Sequence, residues 1–231
     1  MALAAGEFVP PSLLHSFTHS HIYFLHLLHF LRAKQMNHLA HAFLSDGTTA
    51  SVLGSLMGDF VKGPLDDRYA PDVTRGLLLH RRVDSYTDGH PIVAGSRARI
   101  GRERRRFAGI LVDMFYDHFL ALHWMRFADV PLEQFTARVY TILLEHRSML
   151  PDRLQLVAPY MTQGDWLGSY REVDAIGMAL DRMGQRLKRG NALLGSGDEL
   201  RKHYAALEHD FLAFFPDVVR FAKQMREEMK R

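Results

Sequence analysis

His80, Asp84 and Asp88 follow one another at intervals of four residues, a spacing that stacks side chains along one face of an α-helix. One imidazole and two carboxylates in a stripe either face water or point inward and hold a divalent cation. The pattern recurs. Asn37 and His41 stand four apart, as do Asp113 and Asp117, with His118 next to the second acid. Asp59 interrupts an apolar stretch between Met57 and Phe60-Val61. Burying a carboxylate alone costs several kcal/mol, so Asp59 must be paired, bound to a cation or turned to solvent. Asp113 and Asp117 repel each other inside the most hydrophobic run of the chain, Ile110 to Trp124, unless a cation or proton intervenes. Nitrogen and oxygen donors on several helices point to a metallohydrolase core built between helices. A divalent cation so held lowers the pKa of a bound water and polarises the bond that the water attacks.

The elements that must position these groups read as helices throughout. Asn37 to Leu44 is a short helical pattern closed by Asp46-Gly47, and Thr48 or Thr49 caps a second helix running through Val52 to Val61. Gly54, Ser55 and Gly58 on that second helix leave room for another helix or a substrate. Asp72 is expected to cap the helix that carries His80, and Pro91 to stop it. Further helices are expected within Pro131–Leu150, Gly164–Met183, Glu199–Phe215 and Asp217–Met229. No stretch alternates with period two, so the expected fold is all-α, a single helical domain.

The 231 residues can bury a sizeable core, with 47% hydrophobic and 24% charged residues. With no cysteine, disulfides, thiolate zinc sites and thiol nucleophiles are excluded, which suits a reducing, cytoplasmic setting. Residues 1–35 read as an N-terminal extension or leader and residues 36–231 as the domain. The leader's apolar run, Ile22 to Leu31, is broken by His26 and His29, has no basic flank before it, and is too short to span a membrane. Net charge is only +3, yet Arg97, Arg99, Arg102, Arg104, Arg105 and Arg106 crowd one segment with Glu103 as the sole acid among them. Such a patch attracts an acidic or phosphorylated partner. It lacks the interleaved aromatics that stack on bases, so an acidic protein is expected and nucleic acid is not.

Four motifs in order, Asn37-x-Leu39-Ala40-His41, Gly58-Asp59-Phe60-Val61-x-Gly63, His80-Arg81-Arg82-Val83-Asp84-x-x-Thr87-Asp88 and Asp113-x-x-x-Asp117-His118-Phe119-Leu120, closely resemble the acyl carrier protein phosphodiesterase family over Met36 to about Phe215. The resemblance implies a fold similar to a distorted HD-domain metallophosphohydrolase and a divalent metal, manganese before magnesium. It also implies hydrolysis of the phosphodiester joining 4'-phosphopantetheine to a serine of holo-acyl carrier protein. The adjacent His-Asp pair of a standard HD domain is absent from these motifs; His209-Asp210 falls outside them, and Asp117-His118 has the reverse order.

On that footing His41, Asp59, His80, Asp84 and Asp117 are expected to form the metal site and its nearest surroundings. Asp88, Asp113 and His118 would orient ligands or the attacking water, and Asn37 would position a ligand or a phosphate oxygen. The six arginines of 97–106, with Arg81 and Arg82, would dock the acidic carrier protein. Two other readings compete: a phosphohydrolase of nucleotides or other small phosphodiesters, and a non-enzymatic helical protein that binds an acidic partner.

Overall fold

In the computed structural model, described for residues 38–65, 67–185 and 192–230, the site is built around one tight crossing of two helices. Helix α1 spans His38–Leu44, α2 Thr49–Met57 and α3 Pro71–Gly89. Thr48 caps α2, its side chain accepting from the Ser51 amide. Helices α2 and α3 meet glycine to glycine. A Cβ on Gly54 would fall 2.2 Å from the Val73 carbonyl oxygen and 2.7 Å from Gly76 Cα, and one on Gly76 would fall 2.7 Å from the Ser51 carbonyl oxygen. The backbones therefore touch, closer than any pair of side chains allows.

Two expectations about these helices are corrected. Helix α2 stops at Met57, so Asp59 lies in the following turn and not on the helix. The chain there must slide beneath the His80 ring, and a Cβ on Gly58 would sit 2.1 Å from His80 Cγ. Helix α3 starts with Pro71 in its first turn, and Ala70 before it gives no side-chain cap. Proline there fixes φ and lacks only an amide that would be unsatisfied anyway. Asp72 lies inside the first turn, where it pairs with Arg75.

Helix α4 spans Pro91–Arg99, and a 3₁₀ segment, Arg102–Phe107, leads into α5, Ala108–Leu122. Helix α5 is the central element, buried almost continuously from Leu111 to Ala121. Beyond it come α6 (Leu132–Glu145), α7 (Asp152–Gln163), the short α8 (Trp166–Ser169), α9 (Val173–Gly184) and α10 (Gly197–Glu228). Helix α10 was expected as two helices parted at Pro216. It runs through that proline, and its non-helical residue is His203. It packs across α1, α3, α4, α5 and α9, pressing Phe211, Phe214 and Phe215 into the core. The described residues form one all-helical unit with a single hydrophobic core.

Candidate metal centre

Three donor groups converge where α1 and α3 face each other. His41 Nε2 lies 3.0 Å from Asp84 Oδ1, and His80 Nε2 lies 3.3 Å from Asp84 Oδ2. The two imidazoles stack at 3.7 Å between ring centroids. His41 Nε2 and Asp84 Oδ1 are buried, and neither completes a hydrogen bond. Donor atoms that are close yet misaligned for bonding to one another suit a shared cation, and His41, His80 and Asp84 can each offer one ligand atom to it.

The supports of this trio come from neighbouring elements. His80 Nδ1 donates to the Ser55 carbonyl on α2 at 2.7 Å, which orients the ring and leaves the Nε2 lone pair for a cation. Asp59 Oδ1 stands 3.8 Å from His80 Nε2, and Asp59 Oδ2 stands 3.9 Å from His38 Nδ1. Both distances exceed a hydrogen bond. Burial, opposed by His80 and reinforced by Asp84, pushes the Asp59 carboxyl up to about 6. Burial, with His80 beside it, holds His41 down at about 4. Asp84 is also penalised by burial, but the rings of His41 and His80 outweigh it and keep it ionised. For His80 burial works against the proton, and Asp84, Asp59 and the Ser55 carbonyl win, so its pKa is raised. Asp84 is the partly open member, its side chain 19% exposed, and so marks the approach from solvent.

The family profile described as "Acyl carrier protein phosphodiesterase" matches residues 36–218. The chain belongs to that family. Among curated proteins it is similar to "Acyl carrier protein phosphodiesterase" of Serratia proteamaculans (strain 568), 39% identical over 189 residues that cover 81% of this chain and 98% of the relative. The proteins of the same name from Pectobacterium atrosepticum, 36% identical over 81% of this chain and 98% of the relative, and from Escherichia coli O6:H1, 38% identical over 82% and 98%, are similar too. No solved structure matches the chain.

Within this phosphodiesterase family member, the other expected site residues fall in three places. Asp113 is near the trio. It is buried, its Oδ2 has no hydrogen-bond partner, and its Oδ1 is 4.0 Å from Arg97 Nη2. Burial pushes its pKa well up, Arg97 opposes, and Asp84, Asp88 and Asp59 add to the rise. A cavity of about 20 Å³ separates Asp113 and Asp117 from Phe211 and Phe214, the size of one water. Asp88 has left the stripe for the surface, where it pairs with Arg97 at 2.6 Å.

Asp117 and His118 are engaged elsewhere. The Asp117 carboxylate accepts the Leu39 and Ala40 amides at 3.0 and 2.9 Å, so it caps α1 from the side of α5. His118 Nδ1 meets the Tyr170 carbonyl and Nε2 the Tyr204 hydroxyl, each at 2.9 Å. Asn37 lies outside the described residues. His38 was not anticipated, although its i, i+3 spacing from His41 places both on one side of α1; it is buried, and burial with His41 and His80 nearby keeps it neutral, down at about 3.

The arginine segment is less one-sided than its sequence. Arg97 pairs with Asp88, Arg99 with Asp210, and Arg104 with Glu103 and Glu199. Arg105 donates to the Ala98 carbonyl and Arg106 lies over the Phe107 ring. Arg102 is exposed. On α3, Arg81 donates to the Val61 carbonyl and Arg82 to Met225 Sδ.

Proposed function

We propose that this protein hydrolyses the phosphodiester between 4'-phosphopantetheine and serine in holo-acyl carrier protein, releasing the apo protein and 4'-phosphopantetheine. The observation that carries the reading is the convergence of His41, His80 and Asp84 in a chain of this family. These three would hold a divalent cation, with Asp59 adjoining them. Two imidazoles with one carboxylate suit manganese better than magnesium, which prefers an all-oxygen shell with several waters. Bound there, the cation supplies neutralisation of the phosphoryl charge and an activated water.

The protein's own groups perform the rest. The Ser55 carbonyl fixes the His80 tautomer and ring angle. Before a cation binds, burial pushes the Asp59 carboxyl up to about 6; beside the bound cation it would orient the attacking water or accept its proton. Asp117 anchors the start of α1 and so the height of His41 above the site. No helix of the described residues is long and apolar enough to cross a membrane. The reading includes a cytoplasmic setting, which a cysteine-free chain acting on carrier protein suits.

The test is a mass-shift assay with holo-acyl carrier protein and manganese, with EDTA and Asp59→Ala as controls. Loss of the phosphopantetheine mass only with metal and intact Asp59 is the expected result. No loss with any divalent metal would overturn the substrate assignment, and turnover of small phosphodiesters in the same preparation would identify a small-substrate phosphohydrolase instead.

A further inference from the structure

A recess beside the Asp88–Arg97 pair is used by neither the trio nor its supports. Arg97, near the end of α4, turns its guanidinium between α3 and α5, with Nη2 2.6 Å from Asp88 and 4.0 Å from Asp113. Asp88 follows Asp84 by one turn of α3, so the guanidinium lies beside the helix that carries His80 and Asp84. The Arg97 Nε–H is buried and has no acceptor. The guanidinium has five donors in a planar fork that matches phosphate, and Asp88 occupies only part of it.

From Arg97 a groove of about 360 Å³ runs along Ala94, Ala98, Ala108 and Gly109 to Arg105. Gly109 leaves one side of the guanidinium open. A Cβ there would meet Arg97 Cζ, Nε and Nη2, each at 3.9 Å, with no other atom nearer. The backbone does not require glycine at 109, because its φ is not positive. Alanine is the stronger helix former where both fit. An alanine would fit there in ordinary contact, so what the glycine leaves is an uncovered side of the Arg97 guanidinium. Among the described residues no acid lines the groove; between its two arginines the walls are alanine methyls and backbone, and it includes the first turn of α5, the positive end of that helix.

We propose that Arg97 binds the phosphate of the substrate and that this groove seats the pantetheine arm, a reading that rests on the phosphodiesterase activity proposed above. The arm is slender, which suits walls of alanine and glycine, and its two amide carbonyls can accept from Arg105 at the far end. Arg97 thereby becomes a substrate-binding residue and not one of the protein-docking arginines.

Calorimetry on the manganese-loaded full chain tests this with three probes: 4'-phosphopantetheine, pantetheine and inorganic phosphate. The wild type is expected to bind phosphopantetheine at least tenfold more tightly than inorganic phosphate. Ala98→Trp, which fills the groove, should reduce phosphopantetheine to the affinity of phosphate. Arg97→Ala should weaken phosphopantetheine at least tenfold, and Arg97→Lys should recover part of that loss. If Ala98→Trp melts well below the wild type, Ala94→Phe makes the same comparison. Equal affinity for phosphopantetheine and phosphate in the wild type, or a preference that survives the groove-filling variant, would overturn the proposal. The two readings fail separately. Manganese-dependent release from holo-acyl carrier protein without any preference for phosphopantetheine would sink the groove alone, whereas absence of release would sink the activity.

Discussion

At His80 one ring nitrogen is committed to the Ser55 carbonyl and the ring lies directly on Gly58. Gly58→Ala is therefore expected to tilt the imidazole and to lower manganese affinity by about 10–100-fold, the range found when groups that orient a ligand are disturbed; titration calorimetry measures it. A second expectation concerns acids held above their usual range. In the metal-free protein Asp117 is pushed up to about 8, chiefly by burial, and Asp113 is raised well above its ordinary value for the same reason. The folded state then holds protons that the unfolded state has already released, so stability falls as pH rises through this range. His38 and His41 act oppositely, but only below about 6.5, where the unfolded histidines gain protons. Between about pH 6.5 and 8 the melting temperature in EDTA should thus decline, and Asp113→Asn, which resembles the protonated acid, should flatten part of that decline. A melting curve independent of pH in this window would remove the basis for the argument. The residue stripe was legible up to Asp84 because a helix advances only about 40° in four residues. By Asp88 the drift is about 80°, enough to carry the side chain from the cluster to Arg97.

The crossing of α2 with α3 determines where Asp59 and His80 stand, and the close spacing of small residues at Gly54, Ser55 and Gly58 announced it. Their partner Gly76 was not anticipated, since its role exists only once α3 lies against α2. Gly54→Ala or Gly76→Ala should cost about 1–3 kcal/mol, the usual effect of overfilling a packed contact, and should separate Asp59 from His80, seen together as a lower denaturation midpoint and weaker metal binding. The place of Asp117 was hidden for a similar reason. Its spacing from Asp113 shows that both share a side of α5, but the two amides it receives belong to α1, 77 and 78 positions earlier. Asp117→Ala should destabilise the protein by about 1–3 kcal/mol through those unmatched donors, while retaining more manganese affinity than His80→Ala, measured on the same preparations.

Over the molecule as a whole, helical periodicity was enough to foresee an all-α domain, and it missed α7 and the unbroken course of α10. Proline at 216 signalled a stop, yet packing of Phe211, Phe214 and Phe215 carries the helix through it. The same distance effect hid the charge balance. Arg99 and Arg104 find Asp210 and Glu199, acids 111 and 95 positions away, so the surface left for steering is smaller than six consecutive-looking arginines imply. Arg102→Glu with Arg106→Glu should raise KM for holo-acyl carrier protein several-fold at low salt and weaken its dependence on ionic strength, with kcat nearly unchanged. Unaltered KM and salt dependence would mean that the carrier protein docks elsewhere.

Helix α10 comes after every ligand-bearing helix in the chain, yet it lies across α1, α3, α4 and α5. On the ribosome, where about 5–20 residues are added each second, its 32 residues take on the order of 2–6 s to appear. During that interval His41, His80 and Asp84 already exist as polypeptide, but the aromatic wall that packs their helices together does not. Acquisition of a cation by these three groups would thus be timed by translation: a nascent chain that ends before Gly197 would lack the wall against which their helices pack, and the site would be completed only as the closing helix is delivered.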